Sequence, residues 1–305
     1  MWNFLKNQFS LIVRMCQRGI KVTHVSKGSS STKIQRFIPL ANGLTDNMKS
    51  FAVFLLVLRY LSVSHGCTCT EGPQQFPAVQ IDAGQGNVVM TDGNNYAYFL
   101  LGSQWYKMGS LNLKHVSVGP AGIWGVDLNN RVYKYVAGSF VFANGESLQQ
   151  VDAGGDGQVV GVTDTSTIHC LKSTIASDYR KQSTLSWTTI TGGLMYLSCS
   201  TKNGCWGVTP GQAIFFTKVT PSTCGISGWI QVEGVAVKVE IGTDGSVFAL
   251  TKEGTVFQRQ GIDSKTPQGT SWTHIPMPSR ISHVSYDRGN LWVVTDYGTI
   301  LKCFC

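Results

Sequence analysis

Six copies of one short motif run between Ile81 and Cys303. No other feature constrains the fold as much, because a unit repeated along the chain must pack against its own copies. The copies begin at Ile81, Val116, Val151, Leu197, Val239 and Val284, at spacings of 35, 35, 46, 42 and 45 residues. The two shortest spacings define the unit, and the longer ones carry loop insertions.

Each copy reads as short strands. In the second, an alternating apolar strand, Leu113–Val118, is followed by a Gly-rich turn at Gly119–Gly122, where glycine supplies the φ angles of a tight turn. A nearly all-apolar strand follows at Ile123–Val126, then a polar turn at Asp127–Asn130 and a third strand at Val132–Tyr135. A fourth strand carries an aromatic: Trp105, Phe140, Trp187, Trp229 or Trp272. Four short strands per unit, six units and no helical periodicity predict an all-β fold, a six-bladed β-propeller. Independent sandwiches would need longer units.

The last copy ends at Cys305 after its third strand. The segment Cys67–Gln75 is expected to supply the missing fourth strand and close the ring, which removes sheet edges. The cysteines point to the same pairing. Cys67 opposite Cys305 and Cys69 opposite Cys303 fit one antiparallel register with both pairs on one face. A bond closing so long a loop contributes on the order of 4 kcal/mol in the chain-entropy model. A metal site at these pairs is disfavoured, because no His is near and zinc sites favour wider Cys spacing. For the inner four, Cys205–Cys224 with Cys170–Cys199 is the favoured pairing, and a hairpin bridge Cys199–Cys205 is the rival.

The N-terminus lies outside the repeats. Residues 48–66, from Met48-Lys through an apolar core to Ser64-His-Gly66, read as a secretory signal peptide. The apolar stretch is short for a membrane span and Arg59 interrupts it, so no span is expected; a buried helix is the alternative. Residues 1–47 form an upstream extension, either non-native or from an alternative start, with a basic, Ser-rich mitochondrial presequence as the other reading. The mature domain is then 67–305. Of the 25 Lys+Arg and 17 Asp+Glu, 16 of each remain from Cys67 onward, so the net charge of +8 belongs to the leader. No nucleic-acid or anionic-membrane partner is implied. Eight of the nine cysteines also remain, an even set suited to disulfides in a secreted chain.

Catalytic signatures are absent: there is no G-x-S-x-G, H-E-x-x-H or P-loop. His115, His169, His274 and His283 are scattered and read as surface or satisfied residues. A polar and aromatic pattern recurs instead. Asp82, Ser117, Asp152, Ser198, Glu240 and Ser285 stand early in the copies, on what is expected to be the start of the first strand. Asp92, Asp127, Thr163, Thr209, Thr251 and Thr295 end the second strand, and Tyr98, Tyr133, His169, Phe215 and Phe257 open the third. One rim would then repeat a polar group beside an aromatic ring, which suits a sugar's hydroxyls and apolar face. The alternative is that Asp and Thr close turns on local backbone while the aromatics pack blade to blade. From Cys67 onward there is no N-x-S/T sequon.

The strand–turn pattern ending in Gly-Val-Asp, with the endings Trp187-Thr-Thr-Ile-Thr-Gly192 and Trp229-Ile-Gln-Val-Glu-Gly234, resembles the tectonin β-propeller repeat, and among tectonins the fish egg lectins. The resemblance covers Cys67 to Cys305. It implies a secreted, disulfide-bonded lectin for N-acetylglucosamine- or galactose-type glycans and bacterial surface polysaccharide, with a role in innate defence. Calcium is an implied candidate ligand, and a homo-oligomer is allowed. Where the family favours Asn after Gly-Val, this chain carries Asp or Thr. The candidate sugar-binding residues are therefore Asp92, Asp127, Thr163, Thr209, Thr251 and Thr295 with Tyr98, Tyr133, Phe215 and Phe257. The expected function is multivalent, non-enzymatic glycan binding. A propeller scaffold for protein–protein contacts is the alternative. A propeller hydrolase is a further rival, for which Asp82, Asp152 and Glu240 are the only candidate carboxylates.

Overall fold

The computed structural model describes residues 67–177 and 184–305; the segment 1–66, with the signal peptide expected at 48–66, and residues 178–183 lie outside the described residues. The described chain is all-β except for one short helix, α1 (Ser173–Ser177).

Five antiparallel sheets follow the repeat. The first is seven-stranded: β2 (Ala78–Gly84), β3 (Asn87–Asp92), β4 (Tyr96–Leu101), β5 (Gln104–Gly119), β6 (Gly122–Asp127), β7 (Arg131–Val136) and β8 (Ser139–Ser147). It is two four-stranded meanders sharing β5, whose Gln104–Lys107 pairs with β4 and whose Leu113–Gly119 pairs with β6. Next come three meanders: β9 (Gln150–Asp152), β10 (Val159–Val162), β11 (Ile168–Leu171) and β12 (Thr188–Ile190); β13 (Tyr196–Ser200), β14 (Gly204–Val208), β15 (Ala213–Thr217) and β16 (Ile230–Val235); and β17 (Lys238–Ile241), β18 (Val247–Leu250), β19 (Val256–Gln260) and β20 (Ser271–Ile275). In the last sheet, β21 (Ile281–Asp287), β22 (Asn290–Thr295) and β23 (Ile300–Phe304) are completed by β1 (Thr68–Glu71), the first strand described. β1 pairs with β23 in the register Cys69↔Cys303, and disulfides Cys67–Cys305 and Cys69–Cys303 flank that pairing.

The second strand of each meander is buried on both faces, which explains its unbroken apolar run. Trp124, Trp206 and Phe248 lie there, fully buried between neighbouring sheets. The first strands approach one another closely. A Cβ on Gly84 would lie 2.2 Å from the Val118 carbonyl oxygen, one on Gly119 would lie 2.1 Å from that of Ala153, and one on Gly154 would lie 2.4 Å from that of Cys199. Glycine two residues after the polar Asp82, Ser117 and Asp152 is thus a steric requirement of packing sheet against sheet.

Two expectations are corrected. The inner disulfides are Cys170–Cys224 and Cys199–Cys205. The favoured pairing of Cys205 with Cys224 and Cys170 with Cys199 does not form, because Cys199 and Cys205 face each other across the β13–β14 hairpin. Cys224 instead stands in the loop after β15 and bonds Cys170 on β11. The second correction concerns the first-strand polar residues. Asp82 is opposite Val89 near the start of β3, whereas Asp92 is opposite Ala78 at the other end of the hairpin. Their rings are about 10 Å apart along the strands, not on one rim.

Candidate functional site

The first-strand polar residues form a belt that links one first strand to the next. Asp82 accepts the Val118 N–H (2.6 Å), Ser117 the Ala153 N–H (2.9 Å), Asp152 the Cys199 N–H (3.0 Å) and Ser198 the Ile241 N–H (3.3 Å). From the last sheet, Ser285 accepts the Ala83 N–H of β2 (2.9 Å). Acid and serine alternate around the belt, so hydroxyls donate to carboxylates: Ser285 to Asp82 at 3.0 Å and Ser198 to Glu240 at 3.2 Å. A second tier lies two residues earlier. Gln80 both donates to the Val116 carbonyl and accepts its N–H, and Gln150 does the same with Leu197. His115 contacts the Val151 carbonyl at 3.0 Å, and Tyr196 donates to Glu240. The rings of His115, Tyr196 and His283 meet pairwise at 6.0–6.3 Å, with all three residues buried.

Burial dominates the electrostatics here. It raises the carboxyls of Asp82 and Glu240, and it lifts Asp152 to about 8, helped by the charge of Asp82. It depresses His115 to about 3 and His283 well below its usual value. Asp82, Asp152 and Glu240 do converge, as a hydrolase would need, but they are buried and spent on sheet-to-sheet hydrogen bonds. Among the described histidines only His274 is exposed, with its ring 5.5 Å from that of Phe257; His115, His169 and His283 are buried.

The second-strand-end ring closes turns. Thr163, Thr209, Thr251 and Thr295 each accept the N–H of the residue four positions on, at 3.0–3.3 Å. Asp92 and Asp127 do likewise toward Tyr96 and Arg131, both at 2.9 Å. The aromatic six residues on then divides the copies. Tyr98 donates to Asp92 at 3.0 Å, and Tyr133 to Asp127 at 3.2 Å. Burial pushes the Asp127 carboxyl up, but hydrogen bonds from the Arg131 backbone and guanidinium outweigh it and hold the group below its usual value. These two carboxylates are saturated. Where Thr meets Phe, no such bond forms and a cleft is left. One, of about 240 Å³, is lined by Thr251, Phe257 and Trp272 against Ile214, Gly234 and Val235. Another, of about 120 Å³, is lined by Thr209, Phe215 and Trp229 against Gly192 and Gly193. In the β9–β12 meander, Thr163 is followed by His169, whose Nδ1 lies 3.6 Å from the Glu146 carboxylate. After Thr295 the equivalent position is Leu301, which is buried.

Tryptophan builds the cleft walls, a role the sequence reading did not assign. Trp229 Nε1 donates to the Thr191 carbonyl (2.7 Å) and Trp272 Nε1 to that of Glu233 (2.8 Å), each on the preceding meander. A Cβ on Gly192 would sit 2.9 Å from Trp229 Nε1, so the Trp-x-x-Ile/Val-x-Gly ending pairs the tryptophan of one meander with the glycine of the one before. The fixed spacing of that ending was the available signal. Behind the larger cleft, Arg259 lies 5.0 Å over the Trp272 ring and holds Glu233 through two guanidinium nitrogens.

Among the described residues, no cluster of three or more His, Cys, Asp or Glu side chains is arranged to hold a metal ion. The carboxylates of the belt and turns are engaged by hydroxyl and N–H donors and are not grouped as a calcium site would need. Nor is any described helix long and apolar enough to cross a membrane.

A Tectonin domain model matches residues 77–296. The chain is similar to "Fish-egg lectin" of Cyprinus carpio, at 39% identity over 157 residues, which covers 50% of this chain and 65% of that relative. The chain thus spans just under two thirds of the length of that curated relative. The fold is also similar to crystal structures of virginiamycin B lyase from Staphylococcus aureus. The selenomethionine-substituted form has a TM-score of 0.52 at 12% identity, and a catalytically inactive form with quinupristin has 0.51 at 11%. Each covers 78% of this chain and 99% of the other. At such identity the likeness is one of β-propeller fold alone.

Proposed function

The chain belongs to the tectonin domain family, and on that premise we propose a secreted, non-enzymatic, multivalent lectin whose meanders close into a single six-bladed ring. Closure is supported by the β1–β23 pairing with its two disulfides and by the Ser285–Ala83 bond between the last sheet and β2. The lectin reading takes its direction from the egg-lectin relative.

Its binding sites are the clefts between meanders, and one observation carries this: a hydroxyl, a phenyl and an indole recur around an open cleft at two successive places in the ring. A pyranose lays its apolar face on an aromatic ring and presents its hydroxyls edge-on. Thr251 Oγ1 accepts one backbone N–H, which leaves its own O–H to donate to a sugar hydroxyl. The candidate list therefore narrows to Thr209, Phe215, Thr251 and Phe257 and gains Trp229 and Trp272. Asp92, Asp127, Tyr98 and Tyr133 are the occluded version of the same site. The ligands are N-acetylglucosamine- or galactose-type glycans on microbial surfaces. One site at millimolar affinity supplies about −4 kcal/mol, and several on a rigid disc gain avidity on a polyvalent surface.

A glycan array followed by titration with the preferred monosaccharide tests this. Trp272→Phe keeps an aromatic in the wall and should weaken one class of sites; Thr251→Val should do so with less effect on folding. A folded chain that binds nothing on the array, or whose binding ignores both substitutions, would overturn the assignment.

A further inference from the structure

The three longer copies place their insertions at equivalent points, between the third and fourth strands. The insertions lie after β11, β15 and β19, whereas the 35-residue copies cross there in tight turns at Leu101–Gln104 and Val136–Ser139. The fold therefore does not need the extra residues, and ordering them is costly. Their described residues are nonetheless tied down. Cys170–Cys224 and the Ser173 N–H bond to the Pro221 carbonyl tie the first insertion to the second. In the third, Asp263 accepts the N–H groups of Lys265 and Thr266 at 2.8 and 2.6 Å, and Arg259 Nε donates to the Gln268 carbonyl at 2.7 Å.

Between the second and third insertions lies a cavity of about 550 Å³, on the rim opposite the tryptophan clefts. Its walls include Lys202, Asn203, Lys218, Gln258, Gln260 and Asp263. Among the described residues neither Lys202 nor Lys218 has a carboxylate partner. The Lys202 stem crosses Gly245, with its Cδ 3.5 Å from where a Cβ would sit. Asn203 is 5% exposed, and its Nδ2 has no hydrogen-bond partner. The neighbouring cation, Arg259, is spent on Glu233, and Asp244 on the same wall is spent on the Ser246 N–H and the Tyr286 hydroxyl. Two uncommitted ammonium groups on one side of the cavity suit an oxyanion. The amides of Gln258 and Gln260 and the free oxygen of Asp263 suit hydroxyls on the other.

We propose that this cavity is a second binding site, for a saccharide bearing one oxyanion substituent: a carboxylate, sulfate or phosphate. Lys202 and Lys218 take the oxyanion and Gln258, Gln260 and Asp263 take ring hydroxyls. The proposal does not depend on sugar binding at the clefts of the other rim.

Titration calorimetry of the full chain with glucuronate, glucose 6-sulfate, glucose 6-phosphate, glucose and inorganic phosphate tests it. At least one of the acidic sugars should bind about tenfold or more tightly than glucose, as expected for charge-assisted hydrogen bonds. It should also exceed inorganic phosphate and weaken with added salt. The doubly substituted Lys202→Ala/Lys218→Ala chain should lose that increment, while Arg280→Ala, an exposed cation toward the other rim, keeps it. Three results would overturn the proposal: no acidic sugar binding better than glucose, inorganic phosphate binding as well as every sugar, or Arg280→Ala costing as much as the lysines. Loss of neutral-sugar binding in Thr251→Val with acid-sugar binding intact would separate the two rims.

Discussion

The belt and the rim clefts are built by the same repeat from the same residue types, yet they have opposite fates. In the belt, acid and serine alternate: Asp82 and Asp152 accept a backbone N–H from the next inner strand, and Asp82 and Glu240 each take a serine hydroxyl. These carboxyls and serine hydroxyls are spent internally. On the rim, the Asp–Tyr copies are self-satisfied in the same way, while the Thr–Phe copies keep an open cleft and a spare hydroxyl. A polar residue in a repeat is thus available for binding only where its neighbour fails to pair with it.

The largest expected break of this contrast is in the belt. Asp82→Ala leaves the buried Val118 N–H and Ser285 hydroxyl without their carboxylate partner, at about 1–3 kcal/mol each. Urea unfolding should show a drop of roughly 3 kcal/mol or more, with glycan binding unchanged in the chain that remains folded. The second effect is on pH dependence. Asp152 is raised to about 8 in the folded state, so its contribution to stability is present below the unfolded carboxyl range and is lost as pH rises toward 8. His115 and His283 are depressed, so stability is also lost as pH falls below the ordinary histidine value, about 6.5. Thermal melts across pH 3–9 should show a maximum inside this window, and Asp152→Asn should flatten its alkaline side.

A sharper test converts one class of rim site into the other. The double change Asp92→Thr/Tyr98→Phe should open a cleft beside Trp105 at a cost of about 1–2 kcal/mol, for a buried hydrogen bond exchanged for a void. It should add sugar-binding sites by calorimetric stoichiometry; unchanged stoichiometry would mean that more than the Asp–Tyr bond closes that cleft. The smallest effect is Thr295→Ala, which removes one turn-closing bond (3.1 Å) at about 1 kcal/mol and should leave binding untouched.

Much of the architecture was legible. The Gly-rich turns, the apolar second strands and the register of the terminal cysteines are local or periodic signals, and backbone geometry converts these directly into hairpins and strand pairs. The belt was half legible. The alternation of Gln80-x-Asp82, Gln150-x-Asp152 and Tyr196-x-Ser198 is visible in the chain, but its meaning depends on which residue each side chain meets on the next inner strand. The position of Asp82 went astray because the first strand begins three residues before the repeat appears to start, at Ala78. The inner disulfides went astray because the loop carrying Cys224 returns against another meander, a long-range contact that spacing does not encode.

The sequence by itself determined the repeat, the strand and turn grammar within each unit, the terminal cysteine pairing and the family. Those features depend on residues close in the chain or equivalent in each copy, where periodicity carries the information. Only the tertiary structure decided which polar groups are spent and which are free. That is a property of pairs such as Tyr98 with Asp92, Trp272 with Glu233 and Lys218 with no carboxylate. Burial and hydrogen-bond saturation arise only when distant segments meet.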